Sequence, residues 1–171
     1  MKAHICLFSL INSKVEKTLD EDFKGRLTPL EGSMPSEIGL LKSLESLIIS
    51  DMKVSGSILN YIKGATNLTV LDVHSNTFTG SIPDSFSQEH PALINLNLAL
   101  NQFTGAIPTS IGTFTSLKTL NLQFNQIKGK LPSELAGIPT LRKYHSKCFY
   151  WSLSVFLLYI YMFVLRILGR W

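Results

Sequence analysis

Four stretches of this chain repeat one pattern every 24 or 25 residues, and nothing else in the sequence constrains the fold as tightly. The pattern is L-x-x-L-x-L-x-x-N-x-L-x-G-x-I-P. Its two fullest copies are Leu68, Leu71, Val73, Asn76, Phe78, Gly80, Ile82, Pro83 and Leu93, Leu96, Leu98, Asn101, Phe103, Gly105, Ile107, Pro108. A later copy reads Leu117, Leu120, Leu122, Asn125, Ile127, Gly129, Leu131, Pro132. An earlier, worn copy reads Leu44, Leu47, Ile49, Met52, Val54, Gly56, Ile58, Leu59. A unit this short cannot enclose a core alone, so successive units must stack and share one, which makes the chain a solenoid.

Each repeated position has a physical task. The alternation Leu71-x-Val73, Leu96-x-Leu98 and Leu120-x-Leu122 is the period of a short strand with one buried face. Equivalent strands one turn apart run parallel, so a sheet of three or four strands is expected near Leu47, Leu71, Leu96 and Leu120. Asn76, Asn101 and Asn125 each carry an amide donor and a carbonyl acceptor. Stacked in a ladder, they satisfy backbone groups freed where the chain leaves the strand. Met52 interrupts that ladder. The recurring glycines 32, 56, 80, 105 and 129 suit positive φ or close backbone approach, and the following Ile-Pro holds the chain extended.

The L-x-G-x-I-P half of the pattern, with Ser110-Ile111-Gly112 behind it, resembles the plant-type leucine-rich repeat of receptor-like kinases and receptor-like proteins. A partial copy upstream (Leu30, Gly32, Met34, Pro35, then Ile38, Gly39, Leu41) extends the resemblance over roughly 30–141. The resemblance implies an α/β fold: a right-handed leucine-rich-repeat solenoid with a short parallel concave sheet. It also implies a receptor ectodomain fragment that binds a peptide or protein, with a co-receptor as a further partner. No Walker loop, kinase glycine loop, H-R-D or D-F-G triplet occurs, so no kinase domain, catalytic residue or cofactor is expected. Such ectodomains usually carry paired cap cysteines; here Cys6 and Cys148 both lie outside the repeats, with no metal or redox spacing.

Charge is unevenly placed. Between Glu31 and Thr140 there are six lysines, no arginine and eight acidic residues, whereas Arg142, Lys143, Lys147, Arg166 and Arg170 follow without an acid. The net charge of +4 therefore belongs to the ends, and nucleic-acid binding, which needs a basic stripe on the folded surface, is excluded. The basic residues flank Cys148–Leu165, 18 residues without a charge. As a helix that run spans about 27 Å, close to the hydrocarbon thickness of a bilayer. One reading makes 142–171 a transmembrane anchor. The other makes the tail a gene-model artefact on a soluble interaction scaffold. The positive-inside rule places the repeats in the cytosol, whereas the resemblance places them outside the plasma membrane. Residues 1–29 form an N-terminal lead, with a short apolar run at 5–11 as a weak signal segment and a polar stretch at 12–29. Asn67-Leu68-Thr69 is the one glycosylation sequon.

Outward strand positions fall into columns across the turns. One is Ile48, Asp72, Asn97, Asn121; the next is Ser50, His74, Ala99, Gln123; the third is Asp51, Ser75, Leu100, Phe124. The ligand candidates are Ile48, Asp72, His74, Asn97, Asn121, Gln123, Leu100 and Phe124, a polar set with a hydrophobic end that suits a peptide or protein surface. No metal is expected, since His4, His74, His90 and His145 share no ligand spacing and read as surface residues.

Overall fold

The computed structural model describes residues 31–145, in which successive turns of the chain build two parallel sheets and a helical flank. The larger sheet holds β2 (Ser46–Ile48), β4 (Val70–Asp72), β6 (Asn95–Asn97), β8 (Thr119–Asn121) and β9 (Lys143–His145), in that order. Leu47, Leu71, Leu96 and Leu120 stand in register on adjacent strands, and all four are fully buried. The alternation therefore does what it predicts: one residue per strand enters the core and its neighbours face out.

Two expectations about extent need correction. The sheet has five strands rather than three or four, and it runs past the expected solenoid boundary at residue 141. β9 pairs with β8 although Tyr144 stands where the pattern asks for leucine. Pairing is a backbone property: Lys143 donates its N–H to the Lys118 carbonyl at 3.0 Å, and Leu122 donates to the His145 carbonyl at 2.9 Å. Tyr144 is half-buried against the core and fills the leucine's place.

The second sheet was not anticipated. It holds β1 (Glu31–Ser33), β3 (Lys53–Gly56), β5 (Thr77–Ser81) and β7 (Gln102–Thr104), all parallel. Its sequence source is the N-x-L-x-G stretch, where Val54, Phe78 and Phe103 point inward between more exposed neighbours. Within or directly after each strand of this row, a glycine takes a positive φ of 77–121°, a region that only glycine occupies freely.

The asparagine ladder joins the two sheets. Asn101 Oδ1 accepts the Phe78 N–H at 2.9 Å, and its Nδ2 donates to the Val73 (2.8 Å), Ala99 (3.1 Å) and Leu98 (3.3 Å) carbonyls. Asn76 makes the equivalent set one turn earlier, from Val54 N–H to the Ile49, His74 and Val73 carbonyls. Asn125 makes it one turn later, with Phe103 N–H and the Leu98, Leu122 and Gln123 carbonyls. Each amide thus closes its own turn and clamps it to the turn before.

The opposite flank returns through short helices: α1 (Ile58–Tyr61), α2 (Phe86–Glu89) and 3-10 turns at Ser36–Leu40, Ile62–Gly64, Thr109–Thr113 and Ser133–Gly137. Three of those turns start directly after Pro35, Pro108 or Pro132, whose ring fixes the entry φ and has no N–H to leave unpaired. Phe78, Phe86, Phe103 and Phe114 fill the interior, with Phe86 edge-on to Phe114 at 6.2 Å. Here too lies His90, which is no surface histidine. It is fully buried against Phe86, its Nδ1–H bonded to the Ala65 carbonyl at 3.1 Å. Burial pushes its pKa below the ordinary value, more than the Ala65 bond and the Glu89 charge push it up.

Among the described residues, no helix is long and apolar enough to cross a membrane. The expected helix at Cys148–Leu165, the lead at 1–29 and both cysteines lie outside the described residues.

Candidate functional site

A parallel sheet with one face in the core presents the other face as an array, and adjacent strands set its pitch at about 4.8 Å. In register, the first expected column is Ile48, Asp72, Asn97 and Asn121, and the structure adds His145 to it. The alternation also creates a column on the other side of the buried leucines: Ser46, Val70, Asn95, Thr119 and Lys143. The sequence reading missed that column although the same signal, the residue before each strand leucine, marks it.

Local chemistry fixes the polar members. Asp72, Asn97 and Asn121 each turn Oδ1 back to accept the backbone N–H two residues on, from His74 (3.2 Å), Ala99 (3.3 Å) and Gln123 (3.2 Å). This bond holds the side chain close to its own backbone and gives the three a common pose. His74 Nδ1 lies 2.6 Å from Asp72 Oδ1, so the tautomer with a proton on Nδ1 donates to that carboxylate. Its Nε2 lies 3.6 Å from Asp51 Oδ2, too far for a hydrogen bond. Asp51, His74 and Asp72 thus meet on the first two turns. In the second column Ser50 and Ala99 are buried, which leaves His74 and Gln123 as its half-exposed members.

The third column has an unusual backbone. Asp51, Ser75, Leu100 and Phe124 all take φ of 54–57°, immediately before the ladder position. A non-glycine residue there costs about 1 kcal/mol or more. The strain recurs because the chain must bend sharply from one sheet into the next, and the ladder bonds hold the bend. Leu100 is 49% exposed and Phe124 47%. Ile48 at 36% and Leu40 at 75% are the other large exposed apolar residues among the described ones, and only Leu40 lies off this sheet. Apolar exposure is therefore concentrated on the face that the columns define.

Charge grades along the same face. The first two turns carry Glu45, Asp51 and Asp72 without lysine or arginine; the last two carry Lys118, Arg142 and Lys143. Among the described residues no group of three or more His, Cys, Asp or Glu side chains is arranged to hold a metal ion. Asn67 is exposed at the entry to the second turn, and its Nδ2 donates to the Lys42 carbonyl at 3.2 Å.

Stacked turns, an asparagine ladder and one outward sheet face are the architecture of a leucine-rich-repeat solenoid, and residues 66–127 match the leucine rich repeat family model. The likeness is to plant receptors in particular. Receptor-like protein 53 of Arabidopsis thaliana is 39% identical over 114 residues, which covers 65% of this chain and 11% of that protein. The plant peptide hormone receptor RGFR1, solved in complex with RGF2, superposes with a TM-score of 0.64 at 33% identity, covering 70% of this chain and 19% of that one. The Arabidopsis receptor kinase HAESA, solved with the peptide hormone IDA and the co-receptor SERK1, gives 0.63 at 27% identity, over 85% of this chain and 28% of that one. Over these repeats the chain is therefore similar to plant receptor-like proteins and to the leucine-rich-repeat ectodomains of plant receptor kinases. It spans about a tenth of the length of the curated relatives that it matches.

Proposed function

We propose that this chain is a non-catalytic recognition module of the receptor-like kind, which holds an extended peptide or a protein segment on the face of its five-stranded sheet. The observation that carries the reading is the concentration of exposed apolar side chains, Ile48, Leu100 and Phe124, on a face otherwise lined by posed amides. Hydrophobic anchors among oriented polar groups suit a chain laid across the strands. The ligands named for RGFR1 and HAESA are peptide hormones, which supports the same ligand class here. Asp72, His74, Asn97, Asn121 and Gln123 give the polar contacts in this reading, and HAESA's co-receptor makes a second protein on an adjoining edge a further proposal. Residues 148–165 anchor the chain in a membrane, with the repeats outside the cell and Asn67 glycosylated.

The test uses the full-length chain in detergent micelles, selected against a display library of random ten-residue peptides. Enriched peptides should lose binding to a variant carrying Asp72→Arg, Asn97→Arg and Asn121→Arg. They should keep it in a control with Asp84→Arg and Gln88→Arg on the helical flank. Binding indifferent to the sheet-face variant would overturn the site. Alkaline washing of membranes from expressing cells tests the anchor: release of the chain into the wash contradicts it.

A further inference from the structure

The recognition reading leaves the ligand's own chemistry open, and the face itself narrows it. Leu100 and Phe124 sit on adjacent turns of one column, about half exposed, and form an apolar shelf roughly 5 Å long. An apolar side chain of a ligand gains by covering that shelf. What flanks the shelf differs on its two sides. Toward the start of the coil, the same column continues through Ser75 to Asp51, whose side chain is 70% exposed, with the Asp72 carboxylate held beside it through His74. Across the sheet from the shelf, at the entry to the last strands, the face carries Lys118 on Phe124's own turn and Arg142 and Lys143 on the next.

We infer that the shelf selects a linear peptide in which an apolar residue is followed or preceded, three or four positions away, by lysine or arginine, with the basic residue placed at Asp51 and Asp72. Spacing and sign both enter this. The centre of the carboxylate pair and the centre of the shelf are two turns apart, about 10 Å at 4.8 Å per strand. An extended peptide advances about 3.3 Å per residue, so three residues cover that distance. Reversing the ligand's charge placement would take its cation away from both carboxylates and toward turns whose sheet-face charges are Lys118, Arg142 and Lys143, so the charge gradient favours one placement. An acidic residue at the carboxylate end is excluded on the same ground. The inference rests on the peptide-recognition reading above and is separable from it by the outcome of one selection.

The pool enriched on the full-length chain is sequenced. The expected result is a lysine or arginine three or four positions from leucine, isoleucine or phenylalanine. The double variant Asp51→Asn/Asp72→Asn should weaken the enriched peptide about tenfold at low salt, and much less at high salt. Asn at 72 keeps the oxygen that accepts the His74 N–H, so the backbone pose survives and circular dichroism should be unchanged. Leu100→Ser/Phe124→Ser should weaken it by about tenfold at any salt concentration. A pool that binds the sheet face without the basic–apolar pair overturns this specificity and leaves peptide recognition standing. A pool that does not enrich overturns both.

Discussion

The sheet face and the helical flank of this coil follow opposite rules, although one repeat builds both. Across the sheet face one register position accepts residues of very different chemistry: Ile48, Asp72, Asn97, Asn121 and His145. On the flank, neighbouring turns approach so closely that a side chain has no room. A Cβ on Gly39 would run into the Tyr61 carbonyl, and a Cβ on Gly64 would run into the carbonyl of Gly39. At Gly112 it would meet the Glu134 carbonyl oxygen at 2.6 Å. The difference teaches where the chain is free to carry information. Strand spacing is set by backbone hydrogen bonds and leaves outward side chains unconstrained, whereas flank spacing is set by contact between the turns themselves.

The largest effect is expected at the seam between the two sides. Asn101→Leu removes an acceptor and two donors and leaves the Phe78 N–H and the Val73 carbonyl buried without those bonds. At 1–3 kcal/mol for each stranded group, the loss should be about 4 kcal/mol in chemical denaturation. Retained stability in that variant would remove the ladder from the account of what joins the sheets. Next comes Gly64→Ala on the flank, where the obstacle is backbone and cannot swing away. About 2–3 kcal/mol of destabilisation is expected, against a change within about 0.5 kcal/mol for Gln123→Ala on the sheet face. Equal effects at the two positions would abolish the contrast between the sides.

Much of this was legible in the repeat, and the misses have a common cause. Leucine spacing gives the buried strand positions, because burial and the two-residue strand period are properties of local sequence. The ladder was legible because only a side chain with both donor and acceptor serves that position. The second sheet was not, since Thr77–Ser81 and Gln102–Thr104 are short, polar and half exposed, and owe their strand geometry to pairing with neighbours. β9 was hidden because Tyr144 breaks the leucine rule that its backbone does not need. His90 was misjudged because a single polar residue says nothing of whether a turn will close over it. On the candidate face, the columns came from alternation, while the Asp51–His74–Asp72 contact depends on the bend after each strand and on side-chain poses that no spacing reveals.

His90 gives the flank a pH response. Its pKa is lowered in the folded state, mainly because burial removes water from the charged ring. Above about pH 6.5, the ordinary value, the ring is neutral folded and unfolded, and the full stability is present. As pH falls below that value the unfolded chain takes up a proton that the fold resists, so stability declines until the folded pKa is reached. Thermal midpoints from pH 7.5 to 5 should fall for the natural chain and fall less for His90→Phe, which keeps a ring against Phe86 and cannot be protonated. Parallel curves for the two proteins would assign the decline to other groups.

A small effect, and the one with opposite sign, is expected at Met52. The equivalent amide one turn later, in Asn76, bonds to two carbonyls of its own turn, Val73 at 3.2 Å and His74 at 3.0 Å. By the same geometry, Met52→Asn brings an amide to the Ile49 and Ser50 carbonyls. The Ile49 carbonyl already accepts from Asn76 at 2.8 Å, so part of the gain is shared rather than new. Met52 is also half-buried against the core, and losing that contact offsets a fraction of the benefit. A net stabilisation of about 0.5–1 kcal/mol should remain, the size of one ordinary hydrogen bond. For a unit of this size that raises the melting midpoint by about 2–6 °C. The shift must also depend on the neighbouring turn: in an Asn76→Ala background the Ile49 carbonyl has lost its other donor, so Met52→Asn should stabilise more there than in the natural chain. A smaller gain in that background, or none in either, would show that the first turn of the coil is held by packing alone and that its break in the ladder carries no weight.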